Sequence, residues 1–241
     1  MTEREQVLLE TGFVLHQRPY RNSSQLLECL TATHGRVGLV ARGSRETKSR
    51  QRALLQPFGA LRLSWLRRGE LGRLTHVEAQ AQAFPLDAHR LLAGYYCNEL
   101  VLRLLARDDP NAEVFSCYSR CLARLAGGES MARALRLFEL DLLAALGYGL
   151  ELDRDAMTGE PLVPERHYRF ELENGPRAVA REDDPDFYAG RDLIALRERA
   201  LDDEVSLKAA QRLLGRVLRA YLGDRPLKSR LVLQDIVSRG L

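Results

Sequence analysis

The sequence predicts an α+β protein in which a five-stranded β-barrel precedes an all-helical domain with a small irregular or β-containing insertion. Apolar and polar residues alternate through the first 83 residues, as in strands that bury one face. After Pro85 the apolar residues recur at helical spacing. The length of 241 residues suits about two domains, and a composition of 45% apolar and 29% charged residues is typical of a soluble globular protein.

Five strands are predicted in the first domain, residues 1–83. The alternation is clearest where Leu61, Leu63 and Trp65 are separated by Arg62 and Ser64. Glycines separate the segments, which we place at about 6–16, 24–33, 35–42, 54–66 and 71–82. Five short strands in about 80 residues suit a small closed or partly open barrel, of which the OB-fold is the commonest example.

Helices are predicted through most of the second domain, residues 84–241. The first two cover about 86–107 and 111–126, and a third runs from an N-cap at Ser130 to Gly147. Residues 148–188 interrupt the helical pattern, and Glu173-Asn-Gly-Pro there is typical of a hairpin turn. Further helices are predicted at about 190–200, 205–222 and 227–238.

The four cysteines predict reduced thiols in the core of a cytoplasmic protein. Cys117 and Cys121 are one helical turn apart, and neither a Cys-x-x-Cys pair nor a nearby histidine accompanies them. We therefore expect no metal and no cofactor. No apolar run reaches the roughly 18 residues of a membrane span, and the polar start of the chain is unlike a signal peptide.

No motif supports an enzyme. The segment from Gly43 to Ser49 lacks the glycine that a phosphate loop places before its lysine. In the segment from Asp153 to Pro164, Thr158 and Pro164 stand at the positions where a calcium loop requires glycine and glutamate. Neither HExxH nor GxSxG occurs, and the five histidines do not cluster. The sequence therefore favours a binding protein.

Positive charge is concentrated at the N-terminus. Residues 1–80 carry 13 Arg and Lys against 7 Asp and Glu, a balance of +6, whereas residues 81–241 carry 23 against 26, a balance of −3. This asymmetry predicts a polyanion-binding module, although a solvated, solubilising loop is the alternative interpretation. The candidate DNA-binding residues are Arg36, Arg42, Arg45, Lys48, Arg50 and Arg52 around the loop after the third strand, and Arg67, Arg68 and Arg73 near the turn before the fifth.

Eight short motifs follow one another from residue 12 to residue 230. They are Gly12-Phe-Val-Leu-His16 with Pro19-Tyr20 and Ser24, Gly35-Arg-Val-Gly-Leu-Val-Ala-Arg-Gly43, Leu55-Gln-Pro-Phe58, Arg68-Gly-Glu-Leu71, Asn98-Glu-Leu100, Arg136-x-Phe-Glu139, Leu146-Gly-Tyr-Gly149 and Leu227-Lys-Ser-Arg230. In this order the motifs resemble those of the RecO family of bacterial recombination mediators, and the resemblance covers nearly the whole chain.

The resemblance implies an N-terminal OB-fold, a helical C-terminal domain and no catalysis of covalent chemistry. It implies binding to single- and double-stranded DNA, annealing of complementary strands and partnership with RecR. It also implies contact with the C-terminal tail of the single-strand binding protein, so that RecA can be loaded, and it leaves open whether RecF takes part. Some members carry four zinc-binding cysteines after the Leu-Gly-Tyr motif, but residues 150–168 contain none, so we do not expect that zinc site.

The tail of the single-strand binding protein is acidic and amphipathic, and it requires an apolar pocket with a basic rim. The helix predicted at 133–143 offers Arg133 and Arg136 beside Leu137 and Leu140. We therefore expect these four residues to bind the tail. An ordinary amphipathic helix with solvated arginines is the alternative.

Two other functions stay open on the sequence alone. One is an OB-fold RNA-binding adaptor, which a comparison of single-stranded DNA with RNA of equal length would distinguish. The other is a metal-dependent nuclease that uses Asp153, Asp155 and Glu160. Degradation of the substrate from its ends in the presence of magnesium would support the nuclease, provided that changing those acids abolishes the degradation.

Overall fold

The N-terminal strands close into a barrel in the computed structural model, which describes residues 5–46, 50–179, 187–223 and 225–229. Its elements are β1 (Glu5–Tyr20), β2 (Ser24–Thr31), β3 (Gly35–Ala41), α1 (Arg50–Leu54), β4 (Gly59–Arg67) and β5 (Leu71–Ala83). The strands neighbour one another in the order β1–β2–β3–β5–β4, with β3 parallel to β5 and the other pairs antiparallel. The predicted five-stranded barrel is therefore confirmed.

The predicted start of the fourth strand is wrong. Residues 50–54 form the short helix α1, and β4 begins at Gly59 rather than near residue 54. Leu55 follows α1 directly and is fully buried in the barrel core with Leu39, Leu63 and Trp65. The apolar residues that suggested a strand therefore fill the end of the barrel interior.

The helices that follow the barrel are α2 (Ala88–Leu104), α3 (Ala112–Ala126), α4 (Met131–Ala145), α5 (Gly190–Glu198) and α6 (Glu204–Leu222). Side chains cap the N-termini of four of them, at Asp87, Asn111, Ser130 and Asp203. Each cap accepts a hydrogen bond from a backbone N–H that the helix itself leaves without a partner. The predicted helix at 227–238 lies mostly outside the described residues.

The outer surface of β1 around Phe13 is apolar, and α2 and α3 pack on this part of the strand. The Phe13 ring centroid lies 5.2 Å from that of Tyr118 and 5.5 Å from that of Phe115, both on α3. Leu30 on β2 pairs with Phe13 and is also fully buried. Burial of each such side chain contributes about 1.5–3 kcal/mol, so the barrel is stabilised from outside as well as from within.

Asn98 on α2 joins three elements through buried hydrogen bonds. Its Nδ2 donates to the Leu15 carbonyl of β1 at 2.8 Å, and its Oδ1 accepts from the Tyr118 hydroxyl of α3 at 2.6 Å. The residue is 2% exposed. A buried amide costs free energy unless it is paired, so these two bonds favour a single position for α2 on the barrel.

The described residues up to 128, together with those from 226 onward, form one compact unit, and residues 129–225 form a second. The change from strands to helices falls between Ala83 and Ala88, near the predicted domain boundary. The first compact unit continues beyond that point, because α2 and α3 pack on the barrel. Division of the chain into domains at 83/84 therefore stays a prediction.

Glu99 on α2 binds the C-terminal residues of the first unit. Its carboxylate accepts hydrogen bonds from the N–H groups of Lys228 and Ser229, at 3.0 and 2.9 Å, and from the Ser229 hydroxyl at 2.6 Å. Burial alone would raise the pKa of Glu99, but these hydrogen bonds hold it below the ordinary value. Glu99 and Ser229, which belong to two of the eight motifs, are 130 residues apart in the chain and meet here.

The second unit contains the predicted β-containing insertion. Strands β6 (His167–Glu171), β7 (Gly175–Val179) and β8 (Phe187–Ala189) form a sheet in the order β7–β6–β8. The predicted hairpin turn joins β6 to β7. Tyr168 and Phe170 of β6 and Tyr188 of β8 are buried, at 2% exposure or less, so this face of the sheet belongs to the core of the unit.

All four cysteines are free and buried, which confirms their interpretation as core thiols. The Cys97 and Cys121 sulfurs, on α2 and α3, lie 3.6 Å apart. Within the described ranges, every helix is too short or too polar to span a lipid bilayer.

We expect Asn98→Ala to lower the free energy of unfolding of the first unit by about 2–4 kcal/mol. The change leaves the Leu15 carbonyl and the Tyr118 hydroxyl without this partner in buried surroundings. Urea unfolding followed by the fluorescence of Trp65, the single tryptophan, measures the effect in the barrel. Tyr118→Phe breaks one of the two bonds and should cost less, about 1 kcal/mol. Wild-type stability of Asn98→Ala would contradict this role of the amide.

Candidate nucleic-acid interface

Exposed arginines form a strip on one side of the barrel, which we call the basic band. Its members are Arg18, Arg21, Arg42, Arg45, Arg68 and Arg73, and all six residues are exposed. Glu46 and Glu70 lie in the same loops, so the band keeps a net positive charge. Such a strip can neutralise phosphates and release their counterions.

The strand register brings members of the band together. Arg18 on β1 is opposite Leu26 on β2, Leu26 is opposite Val40 on β3, and Val40 is opposite Arg73 on β5. Because neighbouring strands lie about 4.8 Å apart, this row spans roughly 14 Å of the barrel surface. Arg42 follows Val40 by two residues, at the end of the same strand.

The turn between β1 and β2 positions Arg45. Its backbone N–H donates to the Ser23 carbonyl at 3.0 Å, and its guanidinium donates to the carbonyls of Arg21 and Asn22 at 3.4 Å. Arg21 has a φ of 54°, and its guanidinium lies 5.3 Å from the centre of the Tyr20 ring. These contacts bring the loop after β3 and the β1–β2 turn into one surface.

The turn between β4 and β5 forms the other end of the band. It borders an open groove of about 400 Å³, lined by Leu66, Arg67, Arg68, Leu71 and Arg73. In OB-folds, this turn and the β1–β2 turn are the loops that bind oligonucleotides. Arg18 and Arg21 are missing from our sequence prediction, and their place beside the β1–β2 turn was the signal that could have identified them.

Arg36 and Arg67, which the sequence predicted as DNA contacts, make contacts within the protein. Arg36 donates to the Leu102 carbonyl at 2.9 Å, and Arg67 donates to Glu5 at 2.7 Å and to Asp108. Although burial opposes it, the hydrogen bonds to Asp108 and Glu5 raise the pKa of Arg67. The two arginines therefore hold the last turn of α2 and the residues after it against the barrel, and they offer less charge to a ligand than the band does.

Among the remaining predicted residues, Arg52 lies away from the band. Arg52 is exposed on α1, which lies beside Gly59. The groove lined by Arg67 and Arg68 is at the opposite end of β4, roughly 26 Å from Gly59 along that strand. Lys48 lies outside the described residues, and the side chain of Arg50 is not described, so their contact with DNA stays a prediction.

The α4 residues predicted to form a peptide pocket are unequally accessible. Leu137 is 2% exposed, and Arg136 is buried beside Glu139, with which it forms an ion pair. Those two residues were wrongly expected on the surface, because their side of α4 belongs to the core of the second unit. Arg133 and Leu140 are half-buried and reach the surface, although Arg133 also pairs with Glu129.

The acids of the nuclease alternative do not form a metal site. Asp155 is 3% exposed, and its carboxylate accepts the Met157 N–H at 2.8 Å within a turn. Asp153 lies 3.7 Å from Arg197. Among the residues that the structure describes, no group of three or more His, Cys, Asp and Glu side chains could hold a metal ion.

The chain is similar to known proteins over almost its whole length. Family models described as the N-terminal and C-terminal parts of Recombination protein O match residues 6–83 and 85–231. A DNA repair protein RecO from Methylococcus capsulatus is 44% identical over 224 residues, which cover 93% of this chain and 92% of the relative. Its counterpart from Nitrosococcus oceani is 45% identical over 231 residues, which cover 95% of this chain and 94% of the relative. A DNA repair protein RecO from Coxiella burnetii is 41% identical over 233 residues, which cover 97% of this chain and 100% of the relative.

We expect the purified protein to contain no stoichiometric zinc. In the segment where some relatives carry cysteines, the turn at Asp155 and the buried Tyr168 and Phe170 provide the local core instead. Elemental analysis after dialysis against metal-free buffer should find well under one zinc per chain. Recovery of one zinc per chain, or loss of folded structure on chelation, would contradict this expectation.

Proposed function

Because this chain belongs to the RecO family, we propose that it acts in DNA repair as a recombination mediator that holds single-stranded DNA on the basic band. The observation that carries the proposal is the exposure of the six arginines of the band, which lie at and between the two turns that bind oligonucleotides in OB-folds. Double-stranded DNA offers the same phosphates and binds the same surface in this proposal.

The composition of the band suits strand annealing. Its members are arginines, and Tyr20 is the aromatic ring that a described contact places against one of them. Contacts to phosphate carry no sequence information and leave the base edges free. A strand held in this way can pair with its complement, whereas a strand whose bases are stacked into pockets must first be released.

The partners follow from the same role. We propose that the protein works with RecR and contacts the C-terminal tail of the single-strand binding protein, so that RecA gains access to the coated strand. In this proposal the protein acts in the cytoplasm, at the nucleoid. No covalent step is involved.

We expect the double variant Arg42→Ala, Arg73→Ala to bind single-stranded DNA more weakly and with a flatter salt dependence. Loss of two phosphate contacts should lower the log–log salt slope by about 1.4. Fluorescence anisotropy over a salt series measures this change, with mixed-sequence DNA and RNA of equal length. The loss should be similar for every base sequence, and annealing of strands coated with the single-strand binding protein should fall in parallel.

A matched control removes the same charge elsewhere in the first unit. Arg62 on β4 and Arg120 on α3 are exposed and lie outside the band, so Arg62→Ala, Arg120→Ala should keep nearly the wild-type slope. Equal slopes for both double variants and the wild type would place DNA binding elsewhere. A clear preference for RNA would favour the RNA-binding adaptor instead.

We expect Arg133→Ala to weaken binding of the single-strand binding protein's tail peptide. Loss of one charge-assisted hydrogen bond at the rim of a small site costs about 1–3 kcal/mol. Titration calorimetry with the tail peptide measures this, and Arg120→Ala serves as the control. Arg136→Ala is unsuitable, because it breaks a buried ion pair with Glu139 and so lowers the stability of the second unit as well. Unchanged affinity in Arg133→Ala would place the tail site away from α4.

A further inference from the structure

Two consecutive leucines of β1 both lie on the outside of the barrel. Leu8 is 67% exposed and Leu9 is 45% exposed, although Val7 directly before them is buried. Successive residues of a regular strand point to opposite faces, so one of the two leucines would ordinarily belong to the barrel core. The alternation that fills the core is therefore interrupted at this point.

A β-bulge causes the interruption, and we call Leu8 and Leu9 the leucine bulge. The register with β4 shifts between Val7 and Glu10, so the two leucines together lie opposite the single residue Ser64. The Leu9 N–H donates to the Ser64 hydroxyl at 3.0 Å, which holds the bulge in place. Bulges redirect side chains and are frequent beside functional sites. The exposure of both leucines is thus a consequence of a defined backbone feature.

The backbone of the leucine bulge is strained. Leu9 has a φ of 50°, which lies in the left-handed region. Leucine adopts this region at a cost, because its Cβ approaches the following carbonyl oxygen, whereas glycine and asparagine adopt it more readily. A leucine at this position therefore helps neither the backbone nor the core. Strain that the fold does not need points to a role in function.

Carboxylates predominate among the charges around the leucine bulge. Glu5 precedes it and Glu10 follows it on β1. Arg67 donates to Glu5 at 2.7 Å and also binds Asp108, so one arginine serves two of these carboxylates. The three acids and one arginine leave an excess of negative charge beside the leucines.

Other nearby charges do not reverse this balance. Arg62 on β4 is directly opposite Glu78 on β5, and these two charges cancel. The His34 ring lies 3.7 Å from the Glu10 carboxylate, and one positive charge there would still leave carboxylates in excess. An acidic rim opposes the approach of a polyanion. The leucine bulge therefore suits a protein surface that is apolar at the contact and neutral or basic around it.

We propose that the leucine bulge is the docking site for RecR. The inference rests on the proposed function, in which DNA, the tail of the single-strand binding protein and RecR are the direct partners. DNA and the tail are both acidic, so the charge around the bulge favours RecR among the three. The matching surface on RecR is an apolar pocket with a neutral or basic rim. The six arginines of the basic band are not part of the bulge, so DNA and RecR contact different residues.

Substitution of both leucines tests the docking site. Leu8→Ser, Leu9→Asn should weaken binding of purified RecR at least about tenfold in titration calorimetry, because the apolar burial in the complex is lost. Asparagine tolerates a positive φ, so urea unfolding followed by Trp65 fluorescence should find the variant as stable as the wild type. Its salt slope for single-stranded DNA should be unchanged, because the basic band is intact.

The matched control is Met157→Gln, Val205→Thr, which alters two apolar side chains of similar exposure, 65% and 58%, in the second unit. It should keep the wild-type affinity for RecR. A fluorescent label then tests the location directly. Because all four native cysteines are buried, Leu8→Cys can be labelled selectively with a polarity-sensitive fluorophore. Its emission should shift to the blue when RecR is added and should not change with the tail peptide or with single-stranded DNA.

The outcomes separate this inference from the proposed function. Wild-type affinity for RecR in Leu8→Ser, Leu9→Asn would overturn the inference, as would a label that responds to the tail peptide or to DNA but not to RecR. Either result would leave DNA binding on the basic band untouched. Failure of the wild-type protein to bind RecR would overturn both the inference and the proposed partnership. The salt series on the band variants decides DNA binding independently of these results.

Discussion

The Asn98 side chain lies where water cannot reach it, so its amide must find partners in the protein. It finds them in the Leu15 carbonyl and the Tyr118 hydroxyl, and with these two bonds α2 acquires one position relative to both β1 and α3. The next residue in the chain, Glu99, accepts the hydrogen bonds of the C-terminal residues. Two adjacent residues of one motif thus secure the barrel and the C-terminal end of the same compact unit.

The arginines of the barrel are divided between two tasks that a sequence cannot separate. Arg36 donates to the Leu102 carbonyl in the last turn of α2, and Arg67 donates to the carboxylates of Glu5 and Asp108, so both fix the C-terminal end of α2 and the residues after it. Arg42 and Arg73 remain exposed, and the register β2–β3–β5 places them near each other. Net charge counts all four equally, whereas the field that a polyanion meets is dominated by the arginines that carboxylates do not already neutralise.

Much of the fold follows from periodicity in the sequence, because alternating residues and helical stripes are local patterns. The barrel, the first three helices after it and the hairpin after β6 were all predictable in this way. The start of β4 was not, since Leu55 belongs to the barrel core although it follows a helix, and Phe58 packs against Tyr95 of α2. The candidate site was predictable in part. The loop after β3 pointed to Arg42 and Arg45, and the β1–β2 turn could have pointed to Arg18, but the position of Arg73 beside them depends on the pairing of β3 with β5, which are not consecutive strands. The burial of Arg136 and Leu137 likewise depends on which side of α4 faces the core.

The contact of Glu99 with Lys228 and Ser229 makes the first compact unit discontinuous in the chain, because the whole second unit is inserted between Gly128 and Pro226. A ribosome that has finished α3 must still add about 100 residues, which takes roughly 5–20 s, before this unit can be completed. During that interval Glu99 and the part of α2 around it lack the residues that they hold in the finished protein. The second unit, encoded without interruption, can meanwhile fold from its own consecutive residues. The first unit to begin synthesis is therefore the last to be completed, and a chain that stops short of Ser229 damages the barrel's own unit rather than a dispensable end.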